Sequence, residues 1–308
     1  MTIVARSDCD RPPLVEAELQ RALVVPGGVW TALRVVGRTE STNADLAAAG
    51  RTGVPEGHVL VAEEQVSGRG RLGRAWQSPP RAGLAVSVLL RPGLPTRGWP
   101  AGAADRFGWL PLLTGVAVVH AVRRVTGVEA VLKWPNDVMI GDRKCGGILA
   151  ELVVCGPDGE PGPPSAVVVG LGLNTTLRRP ELPQPMATSL VLEGATDLDR
   201  STVLRAVLRD LAGWYTRWRA CGGDPDRSGL RQMYAECCAT LGASVRVLLP
   251  GGDTLDGIAE GVDGEGRLMI SDTAGGHRVL AVGDVAHVRP SGSRGGSDGF
   301  SSDSPYQR

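Results

Sequence analysis

Apolar residues along the chain recur with two different spacings, and each spacing predicts its own kind of element. From Asp105 to Val125 they return every three or four positions, which predicts a buried helix. Shorter apolar runs bounded by glycine, proline or polar residues predict strands at residues 33–36, 58–65, 84–90, 130–134 and 166–174. The apolar residues 138–140, a Gly141-Asp142 turn and residues 144–154 predict a hairpin.

The pattern changes after Gly242, where short strands alternate with glycine turns and predict a small β-barrel. Its strands are expected at residues 245–249, 257–261, 268–271, 278–282 and 285–288. Helices are predicted at 14–23, 46–49, 200–220 and 226–240, with Ser41 or Thr42 as the N-cap of the second. We therefore expect an N-terminal arm (1–30), a main domain (31–240), a barrel domain (241–290) and a disordered tail rich in Ser and Gly (291–308).

The composition of the chain limits the classes of protein to which it can belong. A length of 308 residues with 42% hydrophobic content is typical of about two globular domains. A formal net charge of zero argues against a general nucleic-acid or membrane-surface protein. No stretch approaches the roughly 20 apolar residues of a membrane span, and residues 1–13 lack the apolar centre of a signal peptide. Six cysteines without a C-x-x-C pattern predict reduced thiols, so we expect a cytoplasmic protein.

One segment, residues 63–80, concentrates arginine and glycine. Its three arginines, Arg69, Arg71 and Arg74, alternate with the glycines Gly68, Gly70 and Gly73. Glycine allows a close backbone approach, and arginine presents a fork of donors suited to phosphate or carboxylate. The glycines also satisfy the dinucleotide pattern G-x-G-x-x-G, but that pattern needs a helix to start there. Residues 76–80 instead break the chain before another strand, which favours a mobile strand–loop–strand segment that closes over an anion.

Lysine is rare in this chain. Of the 33 basic residues only Lys133 and Lys144 are lysines. A lysine retained against so strong an arginine bias suggests a need for a compact point charge, with chance retention as the alternative. Lys133 stands at a predicted strand end, and we expect it to be the functional one of the two.

Sequence motifs for several other chemistries are absent. The chain has no P-loop, no H-E-x-x-H, no nucleophile elbow and no His/Cys cluster with zinc spacing. Its four histidines are scattered and are interpreted as structural. An arginine loop, a strand-end lysine, a polar Ser-Thr-Asn turn and glycine-lined strand ends suit the binding of a small acid and a nucleotide. They do not suit hydrolysis by a protein nucleophile.

Taken in order, these motifs resemble the signature of biotin–protein ligases. The resemblance rests on Ser41-Thr42-Asn43, Gln65 with G-R-G-R-L-G-R and Trp76, K-W-P-N-D at 133–137, G-G-I-L at 146–149 with Glu151, and G-L-G-L-N at 170–174. It spans about residues 33 to 290 and implies an α/β catalytic domain of the class II synthetase and biotin–lipoate ligase type, followed by an SH3-like β-barrel. The short N-terminal segment resembles the ligase-only group without a DNA-binding domain.

The resemblance also implies a reaction and a set of site residues. Biotin is activated by ATP to biotinyl-5′-AMP and transferred to a lysine of a biotin carboxyl carrier domain. Lys133, Arg69 and Arg71 would be catalytic. Biotin or its adenylate would also contact Ser41, Thr42, Asn43, Gln65, Gly70, Gly170 and Gly172. The ATP side would use Gly68, Gly73, Arg74, Trp76, Asn136 and Asn174.

Further expectations concern cofactors and partners. Mg²⁺ would be held mainly through ATP phosphates rather than by a protein carboxylate cage. Binding to DNA and to membranes is not expected, and a homodimer is possible. Two alternatives stay open: a lipoate or octanoate ligase on the same fold, and a nucleic-acid-binding regulator that uses the basic loop and the barrel.

Overall fold

A seven-stranded sheet forms the frame of the larger domain. The computed structural model describes residues 11–93, 103–154, 164–249, 252–272, 275–281 and 283–287. The strands are β1 (Ala32–Val36), β2 (His58–Ala62), β3 (Gly83–Leu90), β4 (Ala130–Lys133), β5 (Asp137–Ile140), β6 (Arg143–Val154) and β7 (Pro164–Asn174). Their order in the sheet is β1-β2-β3-β7-β6-β5-β4. Only the β1–β2 pair is parallel among these neighbours, and the other pairs are antiparallel.

Among the described residues, five α-helices pack around this sheet. They are α1 (Glu16–Leu23), α2 (Thr42–Arg51), α3 (Trp109–Thr126), α4 (Arg200–Ala220) and α5 (Leu230–Cys237). Helix α3 is apolar almost all round and packs between the sheet and α4, in the main core. Helix α2 lies on the other face of the sheet, where Leu46 packs with Leu89 and Val168 in a smaller core.

Alternation along β3 assigns its side chains to the two faces, because successive residues of a strand point to opposite sides. Val86, Val88 and Leu90 belong to the main core. Leu89 belongs to the small core under α2. Ser87, which is fully buried, shares the face of Leu89 and lies beneath the start of α2. A polar side chain is thus placed inside the protein next to α2.

The C-terminal domain is a five-stranded antiparallel sheet. Its strands are β8 (Ser244–Leu248), β9 (Thr254–Val262), β10 (Leu268–Asp272), β11 (His277–Leu280) and β12 (Asp284–His287), in the order β11-β10-β9-β8-β12. The turn before β10 packs closely on the start of α3: a Cβ on Gly108 would lie 2.2 Å from the Glu265 carbonyl oxygen. The indole Nε1 of Trp134 donates to the Gly266 carbonyl at 3.2 Å. These contacts hold the small domain beside the end of β4.

Most predicted elements are found, with differences at their ends. The predicted strand at 58–65 ends at Ala62, and the helix predicted at 226–240 is the shorter α5. The long helix begins at Trp109, after a 3-10 segment at Ala103–Gly108. Leu14, Leu19, Leu23 and Trp30 of the expected arm pack in the main core, while the four-part division of the chain stays a prediction. The expected tail and residues 1–10 lie outside the described residues.

Candidate active site

One cavity of about 770 Å³ collects most of the residues predicted for the site. It lies between the start of α2, the arginine segment, the β4–β5 turn, the middle of β6 and β7, and the start of β12. Of the predicted residues, those that line it are Ser41, Thr42, Asn43, Gln65, Arg69, Gly70, Arg71, Arg74, Trp76, Lys133, Asn136, Gly170, Gly172 and Asn174. Gly68 and Gly73 do not line it; they belong to the arginine segment that forms one wall.

The first turn of α2 forms one end of the cavity. Ser41 is the N-cap, and its hydroxyl accepts from the Ala44 N–H at 3.4 Å, as the capping prediction required. Thr42 and Asn43 follow, both buried. The Gln65 Oε1 atom accepts from the Thr42 backbone N–H at 2.8 Å and lies 2.9 Å from its hydroxyl. This end is polar, buried and without a formal charge on the side chains named here.

Glycine at two positions of β7 makes room for side chains of the site. A Cβ on Gly170 would lie 2.2 Å from the Asn43 Oδ1 atom, and one on Gly172 would lie 2.3 Å from the Trp76 ring. The register of β7 with both neighbours is regular across these residues, so no bulge is present there. Asn43 and Trp76 therefore occupy the space that a side chain at Gly170 or Gly172 would take.

The arginine segment folds into a small hairpin. The Trp76 N–H donates to the Gly68 carbonyl at 2.8 Å, and the Gly70 N–H donates to the Arg74 carbonyl at 2.6 Å. Its tip is a 3-10 turn at Arg71–Gly73 that contains left-handed residues. No α-helix starts there, in agreement with the strand–loop–strand prediction.

The three arginines of this hairpin have different partners. Arg71 donates to the Asn136 Oδ1 atom at 3.3 Å, and burial lowers the pKa of its guanidinium. Arg74 pairs with Asp284, at the start of β12 in the C-terminal domain. Arg69 is exposed, and among the described residues it has no ion-pair partner. The hairpin therefore joins the two domains and leaves cationic side chains at the cavity.

Both lysines of the chain line this cavity. The Lys144 Nζ atom lies 2.5 Å from the Asp137 Oδ1 atom and 6.0 Å from the centroid of the Trp76 ring. Lys133 is half-buried, and no carboxylate pairs with it in the part of the chain that the structure describes. Burial of His287 lowers the pKa of its imidazole, and the positive charge of Lys133 lowers it further. The scarcity of lysine pointed to both positions, and only Lys133 was predicted to be functional.

Other residues in or behind the cavity wall were not predicted as site residues, although Asp137 and Glu151 belong to the quoted motifs. Asp137, Asp284 and Val285 line it, and Ser87 and Glu151 lie behind its wall in contact with Asn43. K-W-P-N-D contains Asp137 and could have indicated it, whereas nothing local to Asp284 or Ser87 distinguishes them. Asn174 does line the cavity, but its side-chain amide donates to the Thr188 carbonyl at 2.9 Å and so also supports the loop after β7.

The geometry favours a ligand with a neutral polar end and an anionic centre. The neutral end would meet the turn of α2, and the anionic centre would meet the arginines and lysines. Among the described residues no group of three or more His, Cys, Asp or Glu side chains is arranged to hold a metal ion. In the same part of the chain, no helix has the length and apolar character needed to span a membrane.

Comparison with known proteins assigns the family. The Biotin/lipoate A/B protein ligase family model matches residues 35–174, and the Biotin protein ligase C terminal domain model matches residues 240–288. A biotin--[acetyl-CoA-carboxylase] ligase from Mycobacterium tuberculosis is 40% identical over 284 residues, which cover 91% of this chain and 97% of that protein. The chain belongs to the biotin protein ligase family.

Further biotin protein ligases agree with this assignment. A biotin--[acetyl-CoA-carboxylase] ligase from Paracoccus denitrificans is 31% identical over 256 residues, covering 82% of this chain and 98% of that protein. The biotin protein ligase from Aquifex aeolicus, solved in complex with biotin and ATP, superposes with a TM-score of 0.65 at 27% identity, covering 85% of this chain and all of that one. The family, the α/β catalytic domain and the small C-terminal β-domain predicted from the motifs are confirmed.

Proposed function

We propose that this biotin protein ligase uses ATP to attach biotin to a lysine of a biotin carboxyl carrier domain. A biotin carboxylate oxygen attacks the α-phosphorus of ATP, forming biotinyl-5′-AMP and releasing pyrophosphate. The carrier lysine then attacks the biotinyl carbonyl, so that an amide forms and AMP leaves with the anhydride oxygen. The observation that carries this proposal is a single cavity that joins a buried neutral polar end to a cationic wall.

At the polar end, the α2 turn would bind the head group of biotin. Ser41, Thr42, Asn43 and Gln65 supply short donors and acceptors there, and Gly170 and Gly172 allow Asn43 and Trp76 to take their positions. Short, buried polar contacts of this kind fix the orientation of a small ligand. The carboxylate of the bound acid would then face the arginine hairpin.

At the cationic wall, Arg69, Arg71 and Lys133 would stabilise the charge that accumulates on the carboxylate and the phosphates. Arg69 and Lys133 have no carboxylate partner among the described residues, and Arg71 contacts only a neutral amide oxygen by hydrogen bond. Unneutralised cations around a cavity favour an anionic ligand. Lys144, although paired with Asp137, is a second lysine within reach of the same space.

The ATP side would be formed by the rest of the hairpin and its neighbours. Trp76, Arg74, Asn136 and Asn174 line the cavity, and Gly68 and Gly73 shape the hairpin. Mg²⁺ would enter with ATP and be held mainly through its phosphates and water. The carrier amine, with a free pKa of about 10.4, must lose a proton before it attacks. We assign no side chain to that step.

The decisive experiment is ATP-dependent transfer of labelled biotin to the lysine of a purified carrier domain, with pyrophosphate release measured in parallel. Lipoate and octanoate, tested as competing acids, separate this function from the alternative ligation on the same fold. Efficient pyrophosphate release with either of those acids, and none with biotin, would contradict the proposal. Analytical sedimentation, which measures the mass of the protein in solution, tests the homodimer. A DNA mobility shift that weakens with added salt would instead support a nucleic-acid-binding regulator. A cytoplasmic location stays a prediction.

A further inference from the structure

Glu63 begins the arginine segment, and its carboxylate is buried. The side chain is 8% exposed and pairs at 2.8 Å with Arg200, the first residue of α4, whose side chain is 5% exposed. Its other carboxylate oxygen accepts from the Leu14 backbone N–H at 2.6 Å. None of these three residues lines the cavity, whereas Gln65, two positions after Glu63, does. The buried carboxylate therefore lies just outside the site, where one wall of it begins.

The guanidinium of Arg200 joins three separate stretches of the chain. Its Nη1 atom donates to the Glu63 carboxylate at 2.8 Å and to the Gly83 carbonyl at 3.2 Å. Its Nη2 atom donates to the Pro12 carbonyl at 2.7 Å, and a planar fork of donors suits several acceptors at once. The Glu63 carbonyl also accepts from the Arg81 N–H at 2.8 Å. These bonds close the base of the arginine segment and attach it to the N-terminal arm.

The arm is held at a second point by Arg11, whose side chain is 5% exposed. Arg11 donates to the Glu181 carboxylate at 3.1 and 2.5 Å and to the Thr176 carbonyl at 2.8 Å. Both partners belong to the loop after β7, in which residues 183–184 line the cavity. The arm thus contacts two walls of the site, and its bond to Glu63 is made from a fixed position.

We propose that Glu63 is a positioning residue, which fixes the base of the arginine segment so that its cations meet the carboxylate and phosphates of the bound reactants. This inference rests on the proposed function, in which Arg69 and Arg71 contact those groups. Glu63 touches neither reactant and acts through the segment that it anchors. A loop with a fixed base has fewer conformations available to its tip, so less entropy is lost when the tip closes over a ligand.

The charge of Glu63 is essential to this anchor. In the described chain Glu63 is the only carboxylate that pairs with Arg200. A buried charge without its partner is costly, so an uncharged residue at position 63 favours separation of the base and entry of water. Movement of the base would displace Gln65, which accepts from the Thr42 N–H at 2.8 Å, and the arginines that follow it. Catalysis is sensitive to such shifts, because reacting groups must be placed to within about 1 Å.

Glu63→Gln tests this role, because it keeps the size of the side chain and removes its charge. Glu56→Gln is the matched control. Glu56 also pairs with an arginine, Arg219, at 2.5 Å, and it also accepts from a backbone N–H, that of Arg91 at 2.9 Å. It neither lines the cavity nor belongs to the arginine segment. Both variants should unfold at a lower temperature than the wild type.

Only Glu63→Gln should change the reaction. We expect its KM for biotin to rise at least about tenfold, within the range that a misplacement of about 1 Å can cause. Free biotinyl-AMP should leave this variant several times faster than the wild type, when both are assayed at a temperature at which they are folded. Equal kinetic effects in Glu63→Gln and Glu56→Gln, or none in Glu63→Gln, would overturn the positioning role.

Pyrophosphate release by the wild type with biotin separates the two proposals. If release occurs, equal behaviour of the two variants overturns the role of Glu63 alone. If no release occurs with biotin, the ligase function fails as well.

Hydrogen exchange in the wild type decides the matter if Glu63→Gln does not fold. The amides at the base are those of Leu14, Ser67 and Arg81, which donate to the Glu63 carboxylate, the Glu40 carbonyl and the Glu63 carbonyl. We expect them to be protected in the free protein and unchanged by biotin plus ATP, whereas exchange at residues 69–74 should slow. Base amides that gain protection only with the ligands would show that the base is not fixed beforehand, and would overturn the role of Glu63.

Discussion

At the scale of single residues, the site depends on which charges are neutralised and which are not. Lys144 pairs with Asp137, and Arg74 pairs with Asp284. Arg71 donates a hydrogen bond to the neutral amide of Asn136, whereas Lys133 has no carboxylate partner in the described chain. An unpaired, half-buried ammonium raises the free energy of the empty site. A bound anion lowers that free energy, because opposite charges attract. The two lysines are therefore not equivalent, although both face one cavity.

Lys133→Arg keeps the charge but replaces a compact ammonium by a larger planar fork. We expect biotin-dependent pyrophosphate release to fall at least about a hundredfold, the scale of losing one transition-state donor. Arg246→Lys, a surface change at an ion pair with Asp256, serves as the control. Near-normal release by Lys133→Arg together with loss in Lys144→Arg would transfer the role to Lys144.

Gly172→Ala tests the close packing of Trp76. The added Cβ would lie 2.3 to 2.8 Å from three atoms of the indole, so the ring must move. Since Trp76 lines the cavity, kcat/KM for ATP should fall by at least about tenfold, consistent with about 1–3 kcal/mol for overpacking. Gly213→Ala, in α4 with no heavy atom within 4 Å of the new Cβ, should leave catalysis unchanged. A fully active Gly172→Ala would show that the ring position does not matter.

At the scale of elements, the arginine hairpin is short and held mainly at its base. Two backbone hydrogen bonds join its two arms, a third runs across the tip from the Arg74 N–H to the Arg71 carbonyl, and Arg74 pairs with Asp284. Its tip contains Leu72, a non-glycine residue in the left-handed region with its side chain exposed. Such backbone is disfavoured for leucine and needs support from its surroundings. An adenylate bound beneath the tip would supply that support and neutralise the arginines.

We therefore expect hydrogen exchange across residues 63–78 to slow when biotin and ATP are added. Arg71→Ala removes a cationic contact of the tip, so the variant should lose retention of the adenylate more than binding of biotin and should release free biotinyl-AMP several times faster. Mass-spectrometric exchange and release of labelled adenylate measure the two effects. A hairpin equally protected with and without ligands, and a variant that retains the adenylate as the wild type does, would contradict the ordering mechanism.

Helices α3, α4 and α5 meet at His120, whose protonation should affect stability. Its Nε2 atom lies 3.7 Å from the Cys237 sulfur, and its ring is 6.4 Å from that of Trp214. Burial lowers the pKa of His120 below its usual value of about 6.5, and Arg123 and Arg124 lower it further, against opposing contributions from Asp210 and Glu236. The unfolded chain then binds the proton first as pH falls, so the stabilisation is present above about pH 6.5 and is lost below it.

The measurement is the melting temperature at pH 7.5 and pH 5.5. We expect the melting temperature of His120→Gln to fall less between pH 7.5 and pH 5.5 than that of the wild type. The control is His277→Gln, which alters an exposed histidine and should show the same pH dependence as the wild type. An identical pH dependence in His120→Gln and wild type would exclude this contribution.

At the scale of the whole molecule, the C-terminal domain completes the cavity. Asp284 and Val285 line it, and Asp284 reaches an arginine 210 positions earlier in the chain. The turn at Glu265 and Gly266 packs on Gly108 with no room for a side chain, and Arg231 donates to the Val262 carbonyl. The C-terminal domain therefore forms one wall of the cavity and also packs against the larger domain.

Gly108→Ala should separate the two domains locally. Its backbone suits alanine, with φ −55° and ψ −21°, but the new Cβ would lie 2.2 Å from the Glu265 carbonyl oxygen. We expect a loss of about 1–3 kcal/mol in the free energy of unfolding and a clear fall in pyrophosphate release. Thermal melting and the activity assay check this, with Gly213→Ala as a control that should not lower either. Normal activity in a destabilised Gly108→Ala would show that the wall is dispensable.

Much of this architecture could be predicted from the sequence, because periodicity and turn residues act locally. The helical spacing between Asp105 and Val125 and the apolar run ending at Asn174 correspond to α3 and β7. The ends were less predictable: the strand after His58 stops at Ala62, where tertiary pairing and not pattern decides its length. The ordered motifs also determined the family, since they preserve a specific set of residue types along the chain.

Only the tertiary structure decided what these residues touch. Gly170 and Gly172 are spaces for Asn43 and Trp76, Asp284 belongs to the cavity, and Ser87 links two side chains of a helix more than forty positions earlier. None of these contacts has a local signature, because each joins segments far apart in sequence whose side chains look ordinary by themselves. Ser87 looks like an ordinary buried serine in an apolar strand, and only the fold shows that Thr42 and Asn43 lie beside its hydroxyl.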